Sequence, residues 1–79
     1  MPKSNFFDTE MRKAIGAVVR ERRIKLCWSQ RSLGQRTGLE QRHVWGIEHG
    51  RAGLSLESLV VIAKPFHLTA SELLKLAGY

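Results

Sequence analysis

One spacing recurs four times between Trp28 and Leu73: an apolar residue, a helix-capping position, and a second apolar residue five places after the first. Trp28 and Leu33 bracket Ser29, Leu39 and Val44 bracket Glu40, Leu54 and Leu59 bracket Ser55, and Leu68 and Leu73 bracket Thr69. This is the spacing of the hydrophobic staple, in which apolar side chains on either side of the cap fix the angle at which the chain enters a helix. Ser29, Ser55 and Thr69 add hydroxyls that accept from the N–H groups a first helical turn leaves free. Thr69 is followed by Glu72, which completes a capping box. Glu40 is a poorer cap, although its charge suits a helix N-terminus. Four helix starts placed so closely leave a 79-residue chain room for short helices and tight turns.

A further helix precedes them. From Asp8 or Thr9, the residues Met11, Ile15, Val18, Val19, Arg22 and Leu26 follow the spacing of one apolar helix face. Arg22 serves there through its methylene stem. Arg12, Lys13, Arg20, Arg23 and Lys25 are left for the outer face. The pattern predicts helices over 9–26, 30–37, 41–49, 56–66 and 70–77. Pro65 should bend or end the last turn of the fourth, and Gly78 suits the final C-cap. No segment alternates with period two, so the expected class is all-α, a five-helix bundle forming one domain over 1–79. Residues 1–7 read as a loose end. Phe6 and Phe7 are adjacent, and at least one should pack on the domain or on a partner.

The net charge is +6, with a pI near 10.3. It is unevenly spread: residues 12–51 hold ten Lys and Arg against Glu21, Glu40 and Glu48, whereas 52–79 hold Lys64 and Lys75 against Glu57 and Glu72. An anionic partner for the middle of the chain follows. Cys27 is the one cysteine, so no internal disulfide forms; it reads as a small core or boundary residue of a cytoplasmic protein. There is no membrane span and no signal-peptide pattern. His43, His49 and His67 with Cys27 make no recognised metal spacing. No nucleophile–base pair, phosphate-cradling glycine loop or carboxylate pair is present. Catalysis and a cofactor are therefore not expected, and no small-molecule effector is evident.

Residues 29–49 read as a helix, a turn at Gly38 and a second helix, the helix-turn-helix motif whose second helix enters the major groove of DNA. Leu33, Leu39, Val44 and Ile47 point inward. Gly34 lacks a side chain where the two helices approach, and Gly38 adopts a positive φ without strain. Gln41, Arg42, Trp45 and His49 point outward. Gln and Arg are the side chains that pair bidentately with adenine and guanine edges. Gly46 can only permit close approach. Glu48 is expected to pair with Arg31 or Arg36 and fix the hairpin.

The chain from Ile15 to Leu74 resembles the Cro/CI-type helix-turn-helix regulators, the XRE family. The matching residues are Arg20 and Arg23 before the motif, then Trp28, Ser29, Gln30, Leu33, Gly38, Leu39, Val44, the run Gly46-Ile47-Glu48-His49-Gly50, the run Ser55-Leu56-Glu57-Ser58-Leu59, and Ala63. The resemblance implies a five-helix bundle of the lambda-repressor-like DNA-binding type. More narrowly, the chain is similar to controller proteins of restriction–modification systems, which are short dimeric regulators of their own operon, and to phage-type repressors. It departs from the pattern at Gly34, Glu40, Trp45 and Gly46, so no relative's sequence preference carries over.

The resemblance implies roles residue by residue. Gln41 and Arg42 are base readers at the start of the recognition helix, with Trp45 and His43 as further contacts. Gln30 meets the DNA backbone or braces Gln41. Arg51, Ser55 and Arg31 are backbone contacts, Ser55 through N–H groups at a helix start. The expected partners are double-stranded DNA and a second copy of the chain. Residues 55–78, with Leu68, Leu73, Leu74, Leu76 and Ala77, are the expected dimerisation region. An antitoxin-type protein that also blocks a protein partner is the alternative, and a helical adaptor without DNA binding is a third reading, disfavoured by the basic block.

Overall fold

The computed structural model describes residues 9–79. The readings for the loose N-terminal end and for Phe6 and Phe7 lie outside the described residues. The elements are α1 (Thr9–Lys25), α2 (Gln30–Thr37), α3 (Gln41–Glu48), α4 (Leu56–Ala63), a 3-10 turn (Lys64–Phe66) and α5 (Ala70–Leu76). No strand occurs among the described residues. The described residues form an all-α bundle of five helices.

All four staples form where the sequence places them. Ser29, Glu40, Ser55 and Thr69 are extended N-cap residues. Ser29 Oγ accepts from Ser32 N–H at 2.9 Å, Ser55 Oγ from Ser58 N–H at 3.1 Å, and Thr69 Oγ1 from Glu72 N–H at 3.0 Å. Glu40 makes no such bond. Leu33, Val44, Leu59 and Leu73 are fully buried, while Trp28, Leu39, Leu54 and Leu68 pack against them from the core's edge. Ser55 and Ser58 form a second capping box, hidden from sequence reading because Ser58 stands where Glu or Gln is usual.

The helix ends share a device as well. Cys27 (φ 60°), Gly50 (φ 69°), His67 (φ 59°) and Gly78 (φ 97°) are all left-handed. After α1, Cys27 N–H donates to the Ile24 carbonyl at 2.9 Å and Trp28 N–H to the Arg23 carbonyl at 3.1 Å, the Schellman arrangement. Cys27 is therefore exposed, not a core or boundary residue. Leu26 falls in the same turn and is 48% exposed, although its spacing assigned it to the apolar face. The fourth helix tightens into the 3-10 turn at Lys64–Phe66 around Pro65 instead of continuing to 66.

The core joins Ile15 and Val19 of α1 to Leu33, Val44, Ile47, Leu59, Ile62, Ala63, Phe66 and Leu73. At the α1–α3 crossing, Gly16 has no side chain because a Cβ there would collide with the Ile47 and Glu48 carbonyls. Gly34 plays the part expected of it, with a Cβ position only 2.8 Å from the Leu39 carbonyl oxygen. The apolar C-terminal set divides differently from the sequence reading. Leu73 is core, Leu68, Leu74 and Ala77 pack against it, and Leu76 remains 48% exposed. Helix α4 instead presents Leu56 (68% exposed) and Val60 (42%).

Arg23 overturns its outer-face assignment. Its Nε donates to Glu48 Oε2 at 2.6 Å, Nη2 to Oε1 at 3.0 Å, and Nη1 to the Trp28 carbonyl at 2.8 Å. Gln30 Nε2 donates to Glu48 Oε1 at 3.2 Å. Arg23 lies seven residues after Gly16, two helical turns along the face that meets α3. Glu48 therefore pairs with Arg23, not with Arg31 or Arg36. Arg36 sits over the Trp28 ring instead, 3.9 Å from its centroid. The hydrogen bonds that Arg23 donates to Glu48 raise its pKa above the ordinary guanidinium value, against the effect of burial.

Two outcomes follow for stability. Glu48→Ala leaves the Arg23 guanidinium buried without its carboxylate and should lower unfolding free energy by about 3–5 kcal/mol, read by denaturant titration. Cys27→Gly and His67→Gly each relieve a left-handed side-chain residue and should raise stability by about 1 kcal/mol, read as a higher thermal midpoint.

Candidate nucleic-acid interface

Helix α3 divides cleanly between its two sides. Val44, Gly46, Ile47 and Glu48 are buried, whereas Gln41, Arg42, Trp45 and His49 are exposed. The division follows from the helical period: Val44, Ile47 and Glu48 lie on one stripe, and Gln41, Trp45 and His49 on the opposite one. His43 sits between the two and is half-buried.

The outward stripe is ordered by contacts along its own helix. The His49 ring stacks on Trp45 with centroids 3.9 Å apart and planes 18° apart. Its Nδ1 lies 2.8 Å from the Trp45 carbonyl. A carbonyl only accepts, so Nδ1 carries the proton and Nε2 is the ring's outward nitrogen. The Arg51 guanidinium lies 5.9 Å from the Trp45 ring centroid. Trp45 is thus outward, as its spacing requires, and 41% exposed.

Gln30, Glu40, Gln41, Arg42 and Trp45 line one open groove. Across it, Arg42 Nε donates to Glu40 Oε1 at 3.0 Å, with the two side chains 90% and 73% exposed. An ion pair so fully hydrated contributes little, and a phosphate or a base edge can replace Glu40 at small cost. The Gln30 amide hydrogen-bonds Glu48, so Gln30 braces that residue and not Gln41. Its contact turns one side of the groove into an extension of the Arg23–Glu48 pair.

Arg31 and Arg51 are exposed. Ser55 uses both its hydroxyl and its own N–H within its capping box with Ser58. Gly46 permits the close approach of Ala52, whose Cβ lies 3.0 Å from where a Gly46 Cβ would be. The approach it allows is therefore by the protein's own loop, which carries Arg51 next to Trp45. The sequence reading missed Gly16 and Arg23, which set the height and angle of α3. Nothing local to α1 announces either role, because both depend on where α3 lies.

Of the carboxylates near this face, Glu48 is buried in its ion pair, while Glu40 is exposed in the groove beside Arg42. The arrangement supplies amide, guanidinium, imidazole and indole groups on one convex helix with cations beside it. Among the described residues, no group of three or more His, Cys, Asp or Glu gathers to hold a metal ion. No helix among them is long and apolar enough to cross a membrane.

No protein-family model matches the chain, and no curated protein matches it. Solved structures similar to it in fold include the following two. The clp gene regulator ClgR from C. glutamicum superposes with a TM-score of 0.78 at 24% identity, covering 86% of this chain and 87% of that one. A hypothetical transcription factor, NHTF, from Neisseria superposes with a TM-score of 0.76 at 24% identity, covering 94% of this chain and 84% of that one. At that identity the likeness establishes the helical fold.

Proposed function

We propose that this chain is a sequence-specific DNA-binding transcriptional regulator of the Cro/CI type, acting as a homodimer on a palindromic operator as a restriction–modification controller or phage-type repressor. The observation that carries the reading is the outward face of α3. It presents Gln41, Arg42 and Trp45 beside Gln30 on a rigid helix, inside the basic part of the chain. Similar solved structures include one named as a gene regulator and one named as a hypothetical transcription factor, which supports it. Gln41 and Arg42 read base edges in the major groove, with Trp45 and His43 as flanking contacts. Gln30, Arg31, Arg51 and the N-terminal turn of α4 at Ser55 hold the phosphates on either side.

A single recognition helix covers about half of an operator, and two such helices spaced roughly 34 Å apart read a whole one. The exposed Leu56 and Val60 of α4 supply apolar surface for pairing two copies. Sedimentation at micromolar concentration should show a dimer, and Val60→Asp should shift it toward monomer. A wild-type chain that stays monomeric both free and on DNA contradicts the dimer.

Base reading and backbone holding separate experimentally. On the preferred duplex, Arg42→Ala should weaken binding by about 1–3 kcal/mol and relax preference at one base pair of each half-site. Arg51→Ala should weaken preferred and unrelated DNA alike, and lower the salt dependence by about one counterion per protomer. Equal losses on both DNAs for Arg42→Ala make Arg42 a phosphate contact. No change in either variant removes α3 as the DNA-binding face.

A further inference from the structure

Away from α3, the end of α1 and the 3-10 turn enclose a small hollow of about 200 Å³ lined by Arg22, Lys25, Leu26, Pro65, Phe66 and His67. A second hollow of about 260 Å³ shares Arg22 with it and continues along α5 past Leu68, Glu72, Lys75 and Leu76. Together they form one trough. Its apolar positions include Leu26 and Leu76, each 48% exposed. Arg22, Lys25 and Lys75 are cations that enter no ion pair among the described residues. The trough's carboxylate, on Glu72, is occupied at Oε1 by the Thr69 N–H at 2.8 Å. Arg22 lies about 100° around α1 from Arg23, so its side chain leaves the helix on a different side from the one that pairs with Glu48.

We propose that this trough binds an acidic, amphipathic segment of a partner protein. Each hollow is smaller than the roughly 300–1,000 Å³ of sites that enclose a small molecule. Each instead matches one apolar side chain, and two hollows joined at Arg22 fit two anchors of one extended segment. Carboxylates between the anchors complement Arg22, Lys25 and Lys75. Such a mixed surface, with exposed leucines between cations, suits an acidic peptide better than a phosphate backbone, which offers nothing for Leu26 and Leu76 to bury against. The site leaves α3 free, so a partner held here and a duplex held by α3 are compatible.

The test is titration of the isotope-labelled full chain with a synthetic peptide of Asp and Glu interspersed with Leu and Phe, followed by NMR. Amide shifts should appear at Arg22–Leu26, Phe66, His67 and Leu76 and leave residues 41–51 unchanged. Leu26→Asp and Lys25→Glu, both at exposed positions, should keep the thermal midpoint and weaken binding about tenfold or more. A peptide with Gly and Ser replacing Leu and Phe should bind correspondingly weakly. The proposal fails if the apolar-free peptide binds equally well, if the shifts centre on 41–51, if both folded variants bind unchanged, or if a short DNA duplex shifts the trough residues more than the acidic peptide does.

Discussion

The bidentate ion pair between Arg23 and Glu48 ties the end of the first helix to the end of the third. The same guanidinium reaches the Trp28 carbonyl, and the same carboxylate receives the Gln30 amide. Four segments thus meet at one charged cluster: α1, the turn after it, the first residue of α2 and the last of α3. Buried charges such as these need every partner, because removing one leaves the other without solvent or counter-charge. The cluster is also geometric. With Gly16 letting the α1 backbone touch the carbonyls of Ile47 and Glu48, it fixes both the height and the rotation of α3. Rotation decides which residues of an eight-residue helix face outward.

What faces outward is a surface already arranged before any partner arrives. Trp45 is stacked on His49, His49 is hydrogen-bonded to its own helix, and the loop carrying Arg51 is drawn in against Gly46. Ordering these side chains in advance reduces the entropy lost on binding. Arg42 is held only by an exposed pair with Glu40, so it can exchange that partner for a base edge or phosphate at little cost. The proposed DNA reading thus joins a stacked indole–imidazole–guanidinium edge to one exposed arginine.

Much of the fold could be read from local pattern because the staples and caps act within a few residues of one another. Ser29, Glu40, Ser55 and Thr69 begin helices as their spacing predicts, and each fourth helical residue after them is core. The outward stripe of α3 followed from the same period. Contacts between distant segments were less accessible. Arg23 looks like one more surface cation until α3 is placed beside it, and Gly16 looks incidental until a carbonyl occupies its side-chain space. Leu26 and Cys27 were misassigned because the helix ends one turn position earlier than their apolar spacing continues, in a left-handed turn that a non-glycine residue does not announce. Leu73 and its neighbours were read as a dimer surface because composition cannot tell an apolar residue that faces its own core from one that faces a partner.

The central claim is that α3, fixed from behind by the Arg23–Glu48 cluster, reads a defined DNA sequence in pairs. Selection of duplexes from a random pool by the full chain, followed by sequencing of the retained DNA, tests it most directly. The account predicts enrichment of one inverted repeat whose half-site centres lie about one helical turn, roughly 34 Å, apart. Retained DNA as random in sequence as the starting pool, or no retained DNA at all, contradicts it.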